Sequence, residues 1–267
     1  MIELIQITND PVFASRCDAL DGMRLFVDLE RLGKAERQAG RNTFISTHQV
    51  ADVRRVKSRL RRSRLMVRVN PLNPGTQAEV EAVLDGGADM LMLPMFSDAA
   101  TLQEFISLAR GRVPVAALLE TPGALVTLAD WVGTPGLTEV YLGLNDLHLA
   151  LGARFMFEPL ANGIVEAVGA AAHAHKLGFG FGGIARLDEG LLPGRDVLAE
   201  HLRLGSGAVI LSRTFHRADR GERFEQEVLA LRSAEMELAR RTPQQVRSDA
   251  ARIRTGIERI AAGVGAD

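Results

Sequence analysis

Eight short apolar runs constrain this chain more than any other feature: each ends in turn-forming or polar residues, and most lead into a segment of helical character. They are Ile2–Ile7, Arg24–Asp28, Leu65–Val69, Met90–Leu93, Val115–Leu119, Val140–Leu144, Gly178–Phe181 and Ala208–Ser212, and a shorter run, Thr43–Ser46, reads as an extra edge strand. Nearly continuous hydrophobic runs of this length are what parallel strands need when both faces of the sheet are covered. Eight strand–helix repeats in about 215 residues fit a closed (β/α)8 TIM barrel, an α/β fold, better than an open sheet, whose usual strand count is lower. The least regular repeat is the first, Thr8–Gly22, where Pro11 and Gly22 leave room for a short helix only.

Start signals place the helices between these runs, because a side-chain oxygen at the N-cap satisfies amides that the first turn leaves unpaired. Thr76 with Glu79 has capping-box spacing, Thr121 precedes a proline suited to the first helical position, and Ser97 can cap a helix that runs to Arg110 before Gly111. Between His48 and Leu60, Val50, Val53, Val56 and Leu60 recur at helical spacing while Arg54, Arg55, Lys57 and Arg59 take the solvated face. After the eighth run two long helices are expected, Glu222–Arg240 and Pro243–Ala262, the second opened by Thr242 and Gln245. This divides the chain into a barrel over 1–215 and a C-terminal helical extension over 216–267. The stripe Val246, Ala250, Ile253, Ile257 and Ile260 in the last helix needs a partner, either the same barrel or a neighbouring subunit, so a homo-oligomer is expected.

Charge narrows the partners. Thirty-two basic and thirty-three acidic residues give a net charge of -1, with no positive excess to hold a phosphate backbone, so nucleic acid is not expected as a partner. The single cysteine, Cys17, forms no internal disulfide, residues 1–10 lack the basic start of a signal peptide, and no apolar run approaches the roughly 20 residues of a membrane helix. A cytoplasmic protein without a membrane partner is the expectation.

The residue inventory also excludes chemistry. A Schiff base needs a lysine at the catalytic mouth of the barrel, and Lys34, Lys57 and Lys176 are read as lying elsewhere. No serine sits in a G-x-S-x-G elbow, and Cys17 has no evident histidine base. The glycines of Gly178–Gly183 lack dinucleotide-binding spacing and read equally as packing or phosphate-cradling positions.

The strand ends are rich in acidic residues. Strand two ends in Asp28 and Glu30, strand three carries Arg68 and Asn70, strand five ends in Glu120, and strand six ends in Asn145 and Asp146. Glu120 and Asp146, without a sulfur ligand, suit a hard divalent cation such as Mg²⁺ or Mn²⁺, and Asp146 alone reads alternatively as a helix cap. Arg68 interrupts a buried β-branched run, which is costly without an anion, so it faces an anionic ligand, a carboxylate such as Asp28, or both. Among the histidines, His173, His175, His148, His201 and His216 read as surface or packing residues. His48, expected to be solvent-accessible at a helix start near the mouth, can move protons near neutral pH.

Phe26–Val27–Asp28–Leu29–Glu30, Val67–Arg68–Val69–Asn70, Gly87–Ala88–Asp89 with Leu93–Pro94–Met95, Leu119–Glu120–Thr121 and Gly143–Leu144–Asn145–Asp146–Leu147 together resemble the HpcH/HpaI aldolase and citrate lyase family, over most of residues 20–215. The interval from Glu120 to Asp146 is also similar to the family's Glu-to-Asp spacing. The resemblance implies a metal-dependent barrel in which Glu120 and Asp146 hold a divalent metal, pyruvate or its enolate chelates that metal, Arg68 stabilises the enolate oxygen, and Gly143, Asn145 and Asp146 with Arg68 contact the substrate. Asp28 and His48 join Arg68 as catalytic candidates. Asp28–Leu29–Glu30 is similar to the thioester-lyase branch, which usually has another acid where this chain has Arg31. Pro94–Met95 is similar to the aldolase branch, which usually has a histidine at position 31; His48 is the substitute for that base. The function implied is an aldolase-type carbon–carbon lyase that cleaves or forms a 4-hydroxy-2-oxo acid, its partner a small-molecule oxo acid. An acyl-thioester lyase and a non-catalytic barrel subunit are the alternatives.

Overall fold

The computed structural model describes residues 1–34, 46–216 and 224–264. Its strands succeed one another in chain order around a closed barrel: β1 (Glu3–Ile7), β2 (Met23–Asp28), β3 (Arg64–Arg68), β4 (Met90–Leu93), β5 (Val115–Leu119), β6 (Leu137–Leu142), β7 (Gly178–Ile184) and β8 (Ala208–Leu211). This is the expected (β/α)8 architecture. Strands β4 and β5 have the bounds their apolar runs predict. β6 starts earlier, just after Gly136 in the left-handed region (φ 91°), and stops at Leu142 because Leu144 already begins a helix. Most of the proposed Thr43–Ser46 strand lies outside the described residues.

The chain divides into two compact units, Ile5–Val140 and Met1–Leu4 with Tyr141–Asp267. In the first, α1 (Pro11–Asp18), α2 (Val50–Lys57), α3 (Thr76–Asp85), α4 (Ala99–Ala109), α5 (Pro122–Val126) and α6 (Leu128–Trp131) connect the strands. The short first helix forms because the Asp10 carboxylate accepts from Val12 N at 2.8 Å and Pro11 occupies the first turn. Val53 and Val56 of α2 are fully buried, as the periodicity requires, whereas Val50 is exposed and Leu60 falls beyond the helix.

Two caps differ from expectation. Asp98 caps α4 in place of Ser97: its extended backbone lets Oδ1 accept from Thr101 N at 2.8 Å. At α3 the cap residue is Gly75, which has no side chain to bond with, and Glu79 turns toward the end of β3, where it accepts from Asn70 Nδ2 at 2.8 Å. Thr121 caps α5 as predicted, accepting from Ala124 N.

The second unit holds α7 (Leu144–Ala150), α8 (Glu158–Ala161), α9 (Ile164–Ala174), α10 (Gly194–Arg203), α11 (Phe224–Leu238) and α12 (Pro243–Gly263). The predicted capping box opens α12, with Gln245 N donating to Thr242 Oγ1 and Thr242 N to Gln245 Oε1. On α12, Ile253, Ile257 and Ala261 are buried, and the helix packs on α8 and α10, tied to α10 by the bidentate Arg252–Asp196 pair. Val246, Ala250 and Ile260 of the same stripe stay half-buried.

β7 and β8 pair with a register shift between Gly180 and Gly183, a bulge that takes backbone groups off the ladder. Tyr141 Oη repairs this by donating to Gly182 O at 2.8 Å and accepting from Ile210 N at 2.8 Å. Gly180 is a packing glycine, since a Cβ there would lie 2.6 Å from the Tyr141 ring and 2.7 Å from Ala208 O. Among the described residues no helix is long and apolar enough to cross a membrane.

Candidate active site

Parallel register makes the centre of the site. Asp28 on β2 pairs with Arg68 on β3, so both side chains leave neighbouring strands at one level, at the C-terminal ends where barrel enzymes carry their chemistry. Arg68 Nε donates to Asp28 Oδ1 at 2.9 Å and Nη2 to Oδ2 at 2.8 Å, a bidentate pair. Arg68 Nη1 lies 3.2 Å from Glu30 Oε2. Burial pushes the Asp28 carboxyl up, but the Arg68 guanidinium and the Lys34 ammonium outweigh it and hold Asp28 well below the usual carboxylate range. Arg68 is shifted oppositely, its cationic form reinforced against burial by Asp28, Glu30 and Glu120.

Lys34 is where sequence reasoning went astray. Expected away from the mouth, it is buried with Nζ 3.3 Å from Asp28 Oδ2 and 3.1 Å from Glu30 Oε2. The i,i+4 spacing from Glu30 was the available signal. Its ammonium is engaged by two carboxylates, which does not suit a free nucleophilic amine.

His48 also departs from expectation: it is 6% exposed, not solvent-accessible. Its Nδ1 accepts the Asp28 backbone N–H at 3.1 Å, and its own backbone N–H donates to Ser46 Oγ. Burial lowers its pKa, and the carboxylates of Asp28 and Asp52 only partly oppose this. Arg31 donates from Nη2 to His48 O at 2.8 Å, and Asn70 Oδ1 accepts from Arg31 N and Leu32 N, bracing the loop after β2.

Glu120, one residue past β5, is 2% exposed. Met95 N donates to its Oε1 at 3.1 Å, and Met95 reaches this position in the left-handed region (φ 55°), a conformation that costs a non-glycine residue about 1–3 kcal/mol. The structure thus brings Asp28, Glu30, Lys34, His48, Arg68 and the field of Glu120 together in one unit. In the other unit, Gly143 precedes α7, Asn145 and Asp146 occupy its first turn half-buried, and no side chain caps it. The remaining described histidines with a polar or ring contact pack: His148 Nδ1 contacts Leu144 O, His173 contacts Gly205 O, and His201 stacks on Phe181 at 3.8 Å. Among the described residues no group of three or more His, Cys, Asp or Glu side chains is arranged to hold a metal.

Residues 24–178 match the sequence pattern of the family described as HpcH/HpaI aldolase/citrate lyase. Over 97 residues the chain is 33% identical to a (3S)-malyl-CoA thioesterase of Cereibacter sphaeroides, a match covering 36% of this chain and about a third (34%) of the relative's length. The fold is similar to that of an HpcH/HpaI aldolase from Desulfitobacterium hafniense DCB-2, with 15% identity, TM-score 0.63 and coverage of 86% of this chain and 91% of the other. It is also similar to the citrate lyase beta subunit of Mycobacterium tuberculosis, with 21% identity, TM-score 0.56 and coverage of 88% and 96%.

Proposed function

Because the chain belongs to the HpcH/HpaI aldolase/citrate lyase family, we propose that it is a divalent-metal-dependent carbon–carbon lyase of the aldolase type, cleaving or forming a 4-hydroxy-2-oxo acid with pyruvate as the enolate component. The observation that carries this reading is the buried Arg68, anchored on Asp28 and Glu30 and sharing its surroundings with Glu120. A guanidinium has five N–H groups, and two are spent on Asp28 and at most one on Glu30, so two remain for a substrate oxygen.

The donor chemistry fits a metal. Glu120 is a buried carboxylate and Asp146 a carboxylate on the first turn of α7, both hard oxygen donors of the kind such divalent cations take. These two residues would hold Mg²⁺ or Mn²⁺, with water and substrate oxygens completing the set, and the ion would supply Lewis acidity at the 2-oxo acid. Arg68 meets the negative charge that develops on the keto oxygen as the carbon–carbon bond breaks, and it is pre-oriented by its bidentate bond to Asp28. His48, with Nδ1 occupied, presents Nε2–H as a donor, the way a neutral imidazole polarises an oxygen. Met95 N fixes one oxygen of Glu120.

An acyl-thioester substrate is the second reading, favoured by the malyl-CoA thioesterase relative. Isothermal titration of metal-stripped protein with Mg²⁺ or Mn²⁺, then with oxalate as a mimic of the pyruvate enolate, tests the proposal. Oxalate binding that requires the metal and is lost in Glu120→Gln is expected. Absence of metal binding, or oxalate binding indifferent to Glu120, overturns it.

A further inference from the structure

The densest run of like charge in the chain lies at the opposite end of β3 from Arg68. Residues 54–64 hold six arginines, Lys57 and no acidic residue, and all six arginines are exposed. Cations in the last turn of α2 offset the negative end of that helix, which accounts for Arg54, Arg55 and Lys57. Lys57 is also paired with Asp89, Arg55 with Asp52 and Arg62 with Asp21. Arg59 and Arg61 lie beyond the helix, and neither side chain has a hydrogen-bond or ionic partner among the described residues. The loop that carries them is nonetheless fixed. The buried Asp18 carboxylate, at the end of α1, accepts three successive backbone N–H groups: Arg61 N at 2.8 Å, Arg62 N at 3.1 Å and Ser63 N at 2.7 Å. Burial raises the Asp18 carboxyl, but these bonds outweigh it and hold the group below its ordinary value. The charge of Asp18 is thus spent on amides rather than on a guanidinium, with Ser63 buried and Arg59, Arg61 and Arg62 left exposed.

We propose that this loop is a docking surface for a short acidic segment of another protein, with Asp18 holding the arginines in place for it. Guanidinium forks match carboxylates in bidentate geometry, and a segment already ordered loses less entropy when a partner arrives. Charge complementarity selects a short partner: the other 25 basic and 33 acidic residues leave a net charge of -8 outside residues 54–64, which repels a long nucleic acid or an anionic bilayer. Residues 50–64 also contain no aromatic side chain on which a base could stack, and no large apolar side chain within 51–64 is exposed to enter a bilayer. Asp28 and Arg68 stand at the other ends of β2 and β3, so the surface is independent of the reaction proposed for them.

The experiment measures binding of a fluorescent octaglutamate peptide to the full-length chain by anisotropy, with octaglutamine, a single-stranded DNA oligonucleotide and phosphatidylserine vesicles as comparisons and circular dichroism to monitor folding. Octaglutamate should bind, octaglutamine should not, and the affinity should fall as salt is raised. Arg59→Ser combined with Arg61→Ser should weaken octaglutamate tenfold or more. Arg240→Ser combined with Arg247→Ser, which removes the same charge from exposed positions elsewhere, should leave it within about twofold. Asp18→Asn separates display from charge: it makes the surface more positive, so charge alone predicts tighter binding, whereas loss of the clamp predicts binding several-fold weaker. Arg59 and Arg61 have no partners to lose, so their variants keep the test open whether or not Asp18→Asn folds. Absence of octaglutamate binding, an equal loss in the Arg240 and Arg247 control, tighter binding of the DNA or the vesicles, or a folded Asp18→Asn that binds as tightly as wild type overturns the proposal.

Discussion

His48 accepts the backbone N–H of Asp28 through Nδ1 at 3.1 Å, which leaves the ring proton on Nε2. One bond thus sets the tautomer of the histidine beside the Arg68 cluster and ties it to the residue that anchors Arg68.

Protonating His48 at Nδ1 would break that bond, and burial already holds its pKa below 6.5. Its contribution to stability is therefore complete above the unfolded value and is lost as pH falls through the folded one. Nitrogen-15 spectra of the imidazole should show the Nε2–H tautomer at pH 7 and a titration midpoint below 6.5. A titration midpoint at or above 6.5, or an Nδ1–H tautomer, would contradict the geometry.

Arg68→Ala removes one partner of a buried bidentate pair and leaves the Asp28 carboxylate with Lys34 Nζ and the Glu30 backbone N–H. A destabilisation of about 3–5 kcal/mol is expected at pH 7. Because Asp28 titrates below its ordinary value in the folded state, its stabilisation is present above pH 3.8 and is lost as pH falls through the folded pKa. Arg68→Ala brings the folded value nearer the unfolded one, so the loss of unfolding free energy between pH 5 and pH 2 should be smaller in the variant than in wild type.

His201 is buried without exposure, stacked on Phe181, and burial pushes its pKa down to about 3. His201 Nδ1 lies 2.7 Å from Ser206 Oγ, and Nε2 is buried with no hydrogen-bond partner among the described residues. The unfolded chain binds a proton here below about pH 6.5, whereas the folded one does not until about 3. Stability should fall across that interval, and His201→Phe should flatten the acid limb of the melting temperature between pH 7 and pH 4. Identical limbs would rule out His201 as a source of acid sensitivity.

Tyr141→Phe deletes the hydroxyl that serves Gly182 O and Ile210 N at the bulge of β7. Two backbone groups lose their partner, at a cost of about 2–4 kcal/mol in unfolding free energy if neither recruits water. Hydrogen exchange at the Ile210 amide should accelerate in the variant; an unchanged rate would mean that another acceptor replaces Tyr141.

Strand number and order were legible because each apolar run reports local burial, which needs only a residue's own neighbours in sequence. The C-terminal strand residues Asp28, Arg68 and Glu120 were legible for the same reason: a charge that closes or interrupts a buried run must face something polar. Register, by contrast, is a relation between segments far apart in sequence. Only the folded chain shows that Asp28 and Arg68 stand level on β2 and β3, that Lys34 turns back onto both carboxylates, and that His48 is covered rather than open to solvent. The caps at Asp98 and Gly75 belong with these, since Glu79 abandons its own helix for Asn70. Local periodicity determined the barrel and the type of residue at its strand ends; tertiary packing decided which charges neutralise which, because Coulomb energy and desolvation depend on distances and burial that no stretch of sequence contains.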